Sequence, residues 1–445
     1  MKLRDRTIFF TLSIIQTILF IIFYKLQSIQ FGWYFYEIEL KYGSFILMIF
    51  ILLHQSVLCL LYFSGKSMKN YGQNIMLLLF TLILSFIVIG IITELIVSPP
   101  VEELGLCDTI YHHQMVPYGQ SYFSKFEYNM NYSINSLGFR DYEYPVKKCQ
   151  DCFRIIMLGD SFTEGTGIEQ LEDTFPKLME TSLSTKSSKR IEILNFGRIS
   201  YSPVLEYLIL KNIGLNYDPD VIIVNFDVSD VAQDFNYLTN ARYSKEGEFL
   251  GINGCEKNER EQETVFQLRN FLLSLDIVTI LESSFRNLIL YTVQELPLVS
   301  IPPESDSLLI TREEFAESDL VMKQWNVSQL YLHKIIDLAK TNNKTIIITT
   351  YPWGHQVDNS TWKQGRKVFG YDTNTTYSLE PQRRVQLICQ KQNISCYDFT
   401  QDLREGGEGV YYNYDPHWTP KGAKIVARAL EQQLISSTII PMNPK

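Results

Sequence analysis

Residues 154–165 of this 445-residue chain read Arg154-Ile-Ile-Met-Leu-Gly-Asp-Ser-Phe-Thr-Glu-Gly165. The apolar run ends at Leu158, as expected for a short strand that helices cover on both faces. The turn Gly159-Asp160-Ser161 follows the strand directly and precedes a predicted helix. In open α/β sheets, ligands and reacting groups lie at this carboxyl edge. The pattern therefore presents Ser161 to a crevice, beside helix N–H groups that can stabilise negative charge.

Short apolar runs alternate with longer amphipathic stretches along the rest of this region. The predicted strands are 153–158, 191–196, 221–226, 345–350 and 394–399, and the predicted helices are 174–183, 203–213, 320–340 and 420–434. Strands that alternate with helices form a parallel sheet with helices on both faces. The sequence therefore predicts an α/β domain with a parallel five-stranded sheet over residues 151–438.

Two segments depart from this alternation. Residues 99–150 are rich in Tyr, Asn and Gly and show little periodicity, which indicates a loop-rich lead-in. Residues 239–319 are too long for one crossover between strands, and they include an apolar helical pattern at 265–293. We interpret residues 239–319 as an insertion in the domain, either a lid or an element that leans on a membrane.

Residues 1–98 are predicted to be a membrane region with three transmembrane helices. The apolar runs are 7–24, 44–63 and 75–97. Each run approaches or exceeds the roughly 20 residues that cross a hydrocarbon core. The first run is not followed by the small-residue cleavage site of a signal peptide, so we expect it to be retained.

Basic residues predict the orientation of these helices. Lys2, Arg4 and Arg6 precede the first run, and Lys66 and Lys69 lie between the second and third. The positive-inside rule places both flanks, and thus the N-terminus, in the cytoplasm. Three crossings then put residues 99–445 on the extracytoplasmic side, which is the periplasm in a Gram-negative cell. The net charge of −9, without a basic cluster beyond the first residues, argues against a nucleic-acid partner.

Cysteine usage fits an oxidising compartment. Seven cysteines are present, and the six outside the membrane region are Cys107, Cys149, Cys152, Cys255, Cys389 and Cys396. An even number is compatible with disulfides. Cys389 could pair with Cys396 across a helix-to-strand turn, and Cys149 with Cys152 before the first strand. A zinc site would need a second, properly spaced pair of ligands, so structural disulfides are the preferred interpretation.

The far end of the chain supplies a base for Ser161. There the sequence reads Tyr414-Asp-Pro-His-Trp-Thr-Pro-Lys-Gly-Ala423, before the last amphipathic helix. A serine becomes a good nucleophile when a histidine removes its proton, and a carboxylate can fix the tautomer of that histidine. Taken alone, Ser161 could equally cap a helix, and His417 could be a surface loop residue. The two ends in combination favour a catalytic site.

In combination, these motifs resemble the SGNH (GDSL-like) hydrolases, in a membrane-anchored branch of bacterial type. Gly159-Asp160-Ser161 is similar to the first block of the family, and Asn195-Phe-Gly197 to the second. Asp415-Pro-His417, followed by Trp-Thr-Pro-Lys-Gly, is similar to the last block of that branch. Residues 135–140, Asn-Ser-Leu-Gly-Phe-Arg, resemble its lead-in to the nucleophile. The resemblance extends from about 135 to 434, interrupted by the insertion.

The resemblance implies a flavodoxin-like, three-layer α/β/α fold and a site without metal or cofactor. Ser161 would be the nucleophile, His417 the base, and Asp415 the partner that orients it. The backbone N–H groups of Ser161 and Gly197 would bind the oxyanion. The family's third block supplies an asparagine side chain, but this chain carries Ser229 at that position. The loss of one oxyanion donor typically lowers the rate about 100- to 1000-fold.

Three functions remain open from the sequence. The first is an extracytoplasmic serine esterase or deacylase that acts on an ester-bearing small molecule, lipid or glycan. The second is an O-acyltransferase of a surface glycan with the same triad, which would need a membrane partner or a soluble acyl donor. The third is a catalytically silent scaffold, favoured by Ser229 and disfavoured by the intact triad. Trp353 and Trp418 follow the fourth strand and the histidine, and we expect them to bind substrate.

Overall fold

The structure, a computed structural model, describes residues 105–124, 127–254, 307–372 and 376–443. The three apolar runs that predict the membrane region lie outside these residues, as does segment 255–306 of the predicted insertion. Within the described ranges, every helix is either too short or too polar to span a bilayer.

Most of the described residues belong to helices and strands. The strands are β1 (Gly105–Cys107), β2 (His113–Met115), β3 (Gln120–Ser124), β4 (Asn129–Ser133), β5 (Cys152–Gly159), β6 (Arg190–Gly197), β7 (Val221–Phe226), β8 (Ala241–Tyr243), β9 (Phe249–Ile252), β10 (Thr345–Thr350) and β11 (Ser395–Asp398). The helices are α1 (Ser161–Glu164), α2 (Phe175–Lys186), α3 (Pro203–Asn212), α4 (Asp230–Tyr237), α5 (Asp319–Thr341), α6 (Gly354–Val357), α7 (Lys363–Val368), α8 (Glu380–Gln392), α9 (Thr400–Gly406) and α10 (Pro420–Ser436).

Five of these strands form one parallel sheet with the order β11-β10-β7-β5-β6. Numbered along the chain and read from β6, the order is 2-1-3-4-5, the flavodoxin-like arrangement, which reverses direction between its first and third strands. The predicted α/β fold and parallel five-stranded sheet are confirmed. The crevice expected at the reversal lies beyond the carboxyl ends of β5 and β7.

Helices cover the two faces because right-handed crossovers in opposite directions leave on opposite sides of the sheet. The helix α2 follows β5 and packs on α10, whereas α3 follows β6 and packs, with α4, on α5. The central strands are almost wholly apolar, and each residue from Ile155 to Leu158 is fully buried. This burial on both faces explains why continuous apolar runs located the strands to within two residues.

The lead-in is more regular than predicted, because it contains two antiparallel hairpins, β1–β2 and β3–β4. Strand β4 alternates partly exposed Asn129 and Asn131 with buried Met130 and Tyr132. The buried side chains form a small second core with Met115. The prediction of a loop-rich segment missed this period of two, since Asn and Ser residues weaken the apolar signal.

Two predicted disulfides are present, Cys149–Cys152 and Cys389–Cys396. The first closes the turn that leads into β5, and the second joins the last turns of α8 to the start of β11. Cys107 is also disulfide-bonded.

A buried carboxyl group connects the β3–β4 hairpin to helix α1. Glu164 is 1% exposed, and its Oε2 accepts hydrogen bonds from the hydroxyls of Tyr132 (3.2 Å) and Thr166 (3.3 Å). Burial raises the pKa of Glu164 to about 7, although the positive charges of Arg140 and Arg198 oppose the rise. The folded protein therefore holds a proton on Glu164 that the unfolded chain releases near pH 4.3.

This proton makes stability depend on pH. Between about pH 4.5 and 7 the folded state binds more protons than the unfolded state, so the free energy of unfolding falls as the pH rises. We expect Glu164→Gln, which keeps a neutral side chain of the same shape, to flatten this fall. The melting temperature of the variant should equal or exceed that of the wild type at pH 8 and lose the advantage at pH 5. The exposed change Glu405→Gln is the control, and an unaltered pH slope in Glu164→Gln would contradict the expectation.

Candidate active site

The structure brings together the three residues that the sequence predicts to be catalytic. Ser161 begins α1 at the carboxyl end of β5, and His417 lies in the loop before α10. His417 Nε2 lies 2.7 Å from Ser161 Oγ, although 256 positions separate the two residues. His417 Nδ1 makes a short hydrogen bond with Asp415 Oδ1, which also accepts the backbone N–H of His417 at 3.1 Å. This arrangement can transfer a proton from the serine hydroxyl to the imidazole.

The turn before α1 leaves the serine hydroxyl available for the histidine. Asp160, rather than Ser161, caps the helix, because its Oδ1 accepts the N–H of Phe162 at 2.9 Å. The hydroxyl of Tyr351 donates to the same oxygen at 3.0 Å. The alternative in which Ser161 only caps a helix is therefore wrong. Among the described residues, no hydrogen-bond acceptor is found for the N–H of Ser161, so it can receive an oxyanion.

The geometry does not support the predicted oxyanion donor Gly197. Its N–H already donates to Asn195 Oδ1 at 3.0 Å, and the amide of Asn195 donates to the carbonyl oxygen of Thr163 at 2.9 Å. Close packing requires a glycine at this position, because a Cβ there would lie 2.6 Å from the backbone nitrogen of Glu164. Gly197 therefore permits the close approach of β6 and α1.

Ser229 is likewise engaged elsewhere. Its hydroxyl makes a short hydrogen bond with Asp227 Oδ2, and its N–H donates to the same oxygen at 3.2 Å. The amide of Gln233 donates to Ser229 Oγ at 3.2 Å. The hydroxyl at the position of the family's asparagine is thus directed to a neighbouring carboxylate. Asn225 does not replace it, because its side chain bridges the carbonyl of Leu158 and the hydroxyl of Thr349.

Trp353 and Trp418, which the sequence predicts to bind substrate, are 7% and 3% exposed. Trp353 Nε1 donates to Asp227 Oδ1 at 2.6 Å. The ring of Trp418 lies 4.9 Å, centroid to centroid, from both Phe162 and Tyr351. Since they present almost no surface, the expectation that they line the pocket was wrong. Both tryptophans instead pack on Phe162, and the ring of Phe162 lies 4.7 Å from that of His417.

Five carboxyl groups are buried around the crevice: Asp160, Glu206, Asp227, Asp230 and Asp234. Burial raises the pKa of every one of them. The negative charge of Asp227 raises the pKa of Asp160 further, and the pKa of Asp234 rises to about 6. Burial therefore disfavours the charged form of each carboxyl group in this set. No local pattern in the sequence predicts this set, because Asp160 and Glu206 are distant along the chain from the other three residues.

Metal-binding geometry is limited in the described part of the chain to one group, Cys149, Cys152 and Glu192. The two cysteines of this group are joined in a disulfide, so they do not offer thiolates to a metal.

In a comparison with known protein families, one family model matches part of the chain. Residues 367–443, which include Asp415 and His417, match the family model of the SGNH hydrolase-like domain of acetyltransferase AlgX. No curated protein gives a significant match to the chain.

Several solved structures are similar in fold. A lipase/acylhydrolase from Enterococcus faecalis is 10% identical with a TM-score of 0.33, over 66% of this chain and 98% of that chain. A GDSL-like lipase from Bacteroides thetaiotaomicron is 13% identical with a TM-score of 0.30, over 64% and 88%. The acetyl xylan esterase AlAXEase is 12% identical with a TM-score of 0.34, over 63% and 100%. At these values the solved structures identify neither a substrate nor the role of a residue.

The family match does not extend to the membrane-anchored branch, which stays a prediction. The predicted resemblance to the SGNH hydrolases is confirmed at residues 367–443, which match an SGNH hydrolase-like domain.

Proposed function

We propose that this protein is an extracytoplasmic serine esterase or deacylase, and that Ser161, His417 and Asp415 form its catalytic triad. The observation that carries the proposal is the 2.7 Å contact between Ser161 Oγ and His417 Nε2, with Asp415 hydrogen-bonded to the other ring nitrogen. A helix-capping serine or a surface histidine would have no reason to adopt this arrangement.

The geometry supports a two-step acyl transfer. His417 Nε2 takes the proton from Ser161 as Oγ attacks the ester carbonyl carbon, and the C–O bond to the alcohol breaks when His417 returns the proton to it. Water then attacks the acyl-enzyme, with His417 again accepting a proton, and releases the acid and the free serine. Asp415 holds the imidazole in the tautomer that leaves Nε2 free to accept.

In this proposal the N–H of Ser161 is the hydrogen-bond donor that stabilises the oxyanion. Gly197 and Ser229 donate to Asn195 and Asp227, so neither is ready to bind the developing charge. Each missing donor typically costs about 100- to 1000-fold in rate. We therefore expect a slow enzyme, unless substrate binding releases Ser229 from Asp227.

A specific observation also supports acyl transfer to a sugar. The family model that includes the Asp415–His417 loop is named for an acetyltransferase. Transfer uses the same acyl-enzyme, with a glycan hydroxyl in place of water. The three predicted transmembrane helices are too few to carry an acyl donor across a membrane, so a transferase would need a membrane partner or a soluble donor. A silent scaffold is the weaker alternative, because it has no chemical need for an assembled triad.

The extracytoplasmic location is part of the proposal. It is supported by the Cys149–Cys152 and Cys389–Cys396 disulfides, since such bonds persist in oxidising compartments. The predicted membrane region and its basic flanks support the same orientation.

The triad is tested with the full-length chain, a fluorophosphonate probe and an aryl acetate. We expect wild-type protein to be labelled and to release acetate, and Ser161→Ala and His417→Ala to do neither. Asp415→Asn should lower kcat by about 10⁴-fold, the effect of this change in a serine-protease triad. The matched controls are Ser184→Ala, on the exposed side of α2, and His333→Ala, in the middle of α5. A folded wild type that the probe does not label would contradict the proposal.

The acyl acceptor is tested by adding a neutral oligosaccharide to the aryl acetate assay. A hydrolase should release phenol and acetate in equal amounts at every oligosaccharide concentration. A transferase should release more phenol than acetate, and the difference should be recovered as acetylated sugar in mass spectra. Equal release at saturating sugar would exclude that oligosaccharide as an acceptor and leave water in its place.

A further inference from the structure

The loop that carries Asp415 and His417 is held at both ends. Tyr411 and Trp418 form an isolated antiparallel bridge, and the N–H of Tyr412 donates to the carbonyl oxygen of His417 at 3.1 Å. The residues between them, 413–416, lie outside the helices and strands. The backbone N–H groups of Asn413, Tyr414 and Asp415 therefore need acceptors other than those of regular secondary structure.

One carboxylate of the lead-in supplies these acceptors. Glu127 Oε1 accepts the N–H of Asn413 at 2.6 Å, and Oε2 accepts that of Asp415 at 2.7 Å. The N–H of Tyr414 lies 3.1 and 3.0 Å from the two oxygens. Three successive peptide groups thus converge on one side chain, which fixes the peptide planes that lead into Asp415. Burial raises the pKa of Glu127, as does the charge of Asp415, while the three N–H groups oppose the rise.

The next residue contacts the catalytic acid itself. The hydroxyl of buried Tyr128 donates to Asp415 Oδ2 at 2.9 Å. The other oxygen, Oδ1, accepts from the ring and the backbone of His417. With a donor on each oxygen, the carboxylate has little freedom to rotate about its Cβ–Cγ bond. Burial and the charge of Asp415 raise the pKa of Tyr128 well above its ordinary value, so the phenol remains a donor.

The hairpin that presents these two residues is fixed to the α/β domain. The N–H of Asn131 donates to the carbonyl of Glu169 at 2.9 Å, and Arg140 Nη2 donates to the carbonyl of Asn131 at 3.0 Å. The ring of Tyr128 lies 4.9 Å from that of Tyr412, whose hydroxyl donates to the carbonyl of Gly167 at 2.7 Å. Glu127 and Tyr128 therefore directly precede a strand that is itself hydrogen-bonded to the α/β domain.

We propose that Glu127 and Tyr128 are positioning residues of the triad, which hold Asp415 in the orientation that activates His417. The inference rests on the proposed function and deepens it, because it assigns part of the active site to the lead-in. A purely structural contribution would change stability alone. A positioning role must also change how fast Ser161 reacts and how that rate depends on pH.

The test compares Tyr128→Phe with Tyr132→Phe in the full-length chain. Tyr132 is buried on the same face of the same hairpin, but its hydroxyl donates to Glu164 rather than to the triad. We expect Tyr128→Phe to lower kcat and the fluorophosphonate labelling rate about 10- to 100-fold, the range for a lost hydrogen bond to a charged group. KM should stay within about twofold, since Tyr128 does not contact substrate in this proposal. The acid limb of the pH profile should move to higher pH, because a less neutralised Asp415 holds the protonated imidazole more tightly.

Glu127 is tested separately, so that the inference does not depend on one variant. Glu127→Ala removes all acceptors for the three N–H groups and should lower kcat more than Glu127→Gln, which keeps one oxygen. Tyr132→Phe should leave kcat and the pH profile at wild-type values, even if its melting temperature falls. Folded Tyr128→Phe and Glu127→Ala proteins with wild-type kcat and pH profiles would overturn the inference.

A second measurement separates this inference from the proposed function. The far-downfield proton NMR signal of His417 Nδ1–H reports the hydrogen bond to Asp415 without any turnover. We expect it to shift or broaden in Tyr128→Phe and to stay unchanged in Tyr132→Phe. If the wild type is not labelled by the probe but this pattern is found, the esterase proposal fails while the positioning holds. A signal that is identical in the wild type and both variants would overturn the positioning itself.

Discussion

The packing of α10 on α2 is the constraint on which the site depends, because it brings the loop that carries His417 to Ser161, at the end of the first strand of the sheet. Strand β5 is central and β11 is at the edge, so chain leaving β11 must return across one face to reach the serine. Helix α10 makes this return by packing on α2, the helix that follows β5. The loop before α10 consequently lies above the carboxyl end of β5. The packing of these two helices thus sets the distance between Ser161 and His417.

Asp227, one of the buried carboxyl groups, is the hydrogen-bond partner of Ser229 in the third block. Asp227 has no cation beside it among the described contacts, and its oxygens are satisfied by Trp353 Nε1 on one side and by Ser229 on the other. A serine at position 229 is short enough to turn back on Asp227. The Ser229 hydroxyl therefore satisfies a buried carboxyl group of its own chain. Trp353, which the sequence predicts to bind substrate, likewise donates its ring N–H to Asp227.

Sequence patterns predicted the parts of the structure in which burial is encoded locally. The strands β7 and β10 were located to the residue, because both faces of each are buried and each contains a continuous run of Ile or Val residues. The pairing of Ser161 with His417 followed from two motifs that have chemical meaning only together. The acceptor of the Gly197 N–H could not be predicted, since it depends on the rotamer of Asn195. The β3–β4 hairpin was missed because polar side chains dilute its apolar periodicity, and Glu127 carries no distinguishing signal in a segment of Tyr and Asn.

The lead-in and the catalytic domain are distinct in the sequence but share their polar contacts. Besides the hairpin, the lead-in provides Asp141, which accepts the backbone N–H of Asn195 at 2.7 Å and pairs with buried Lys177. A boundary at residue 151, where the alternation of strand and helix begins, would therefore separate ion pairs and triad contacts that belong to one folded unit. The smallest fragment expected to fold with a competent site begins well before the first strand of the sheet.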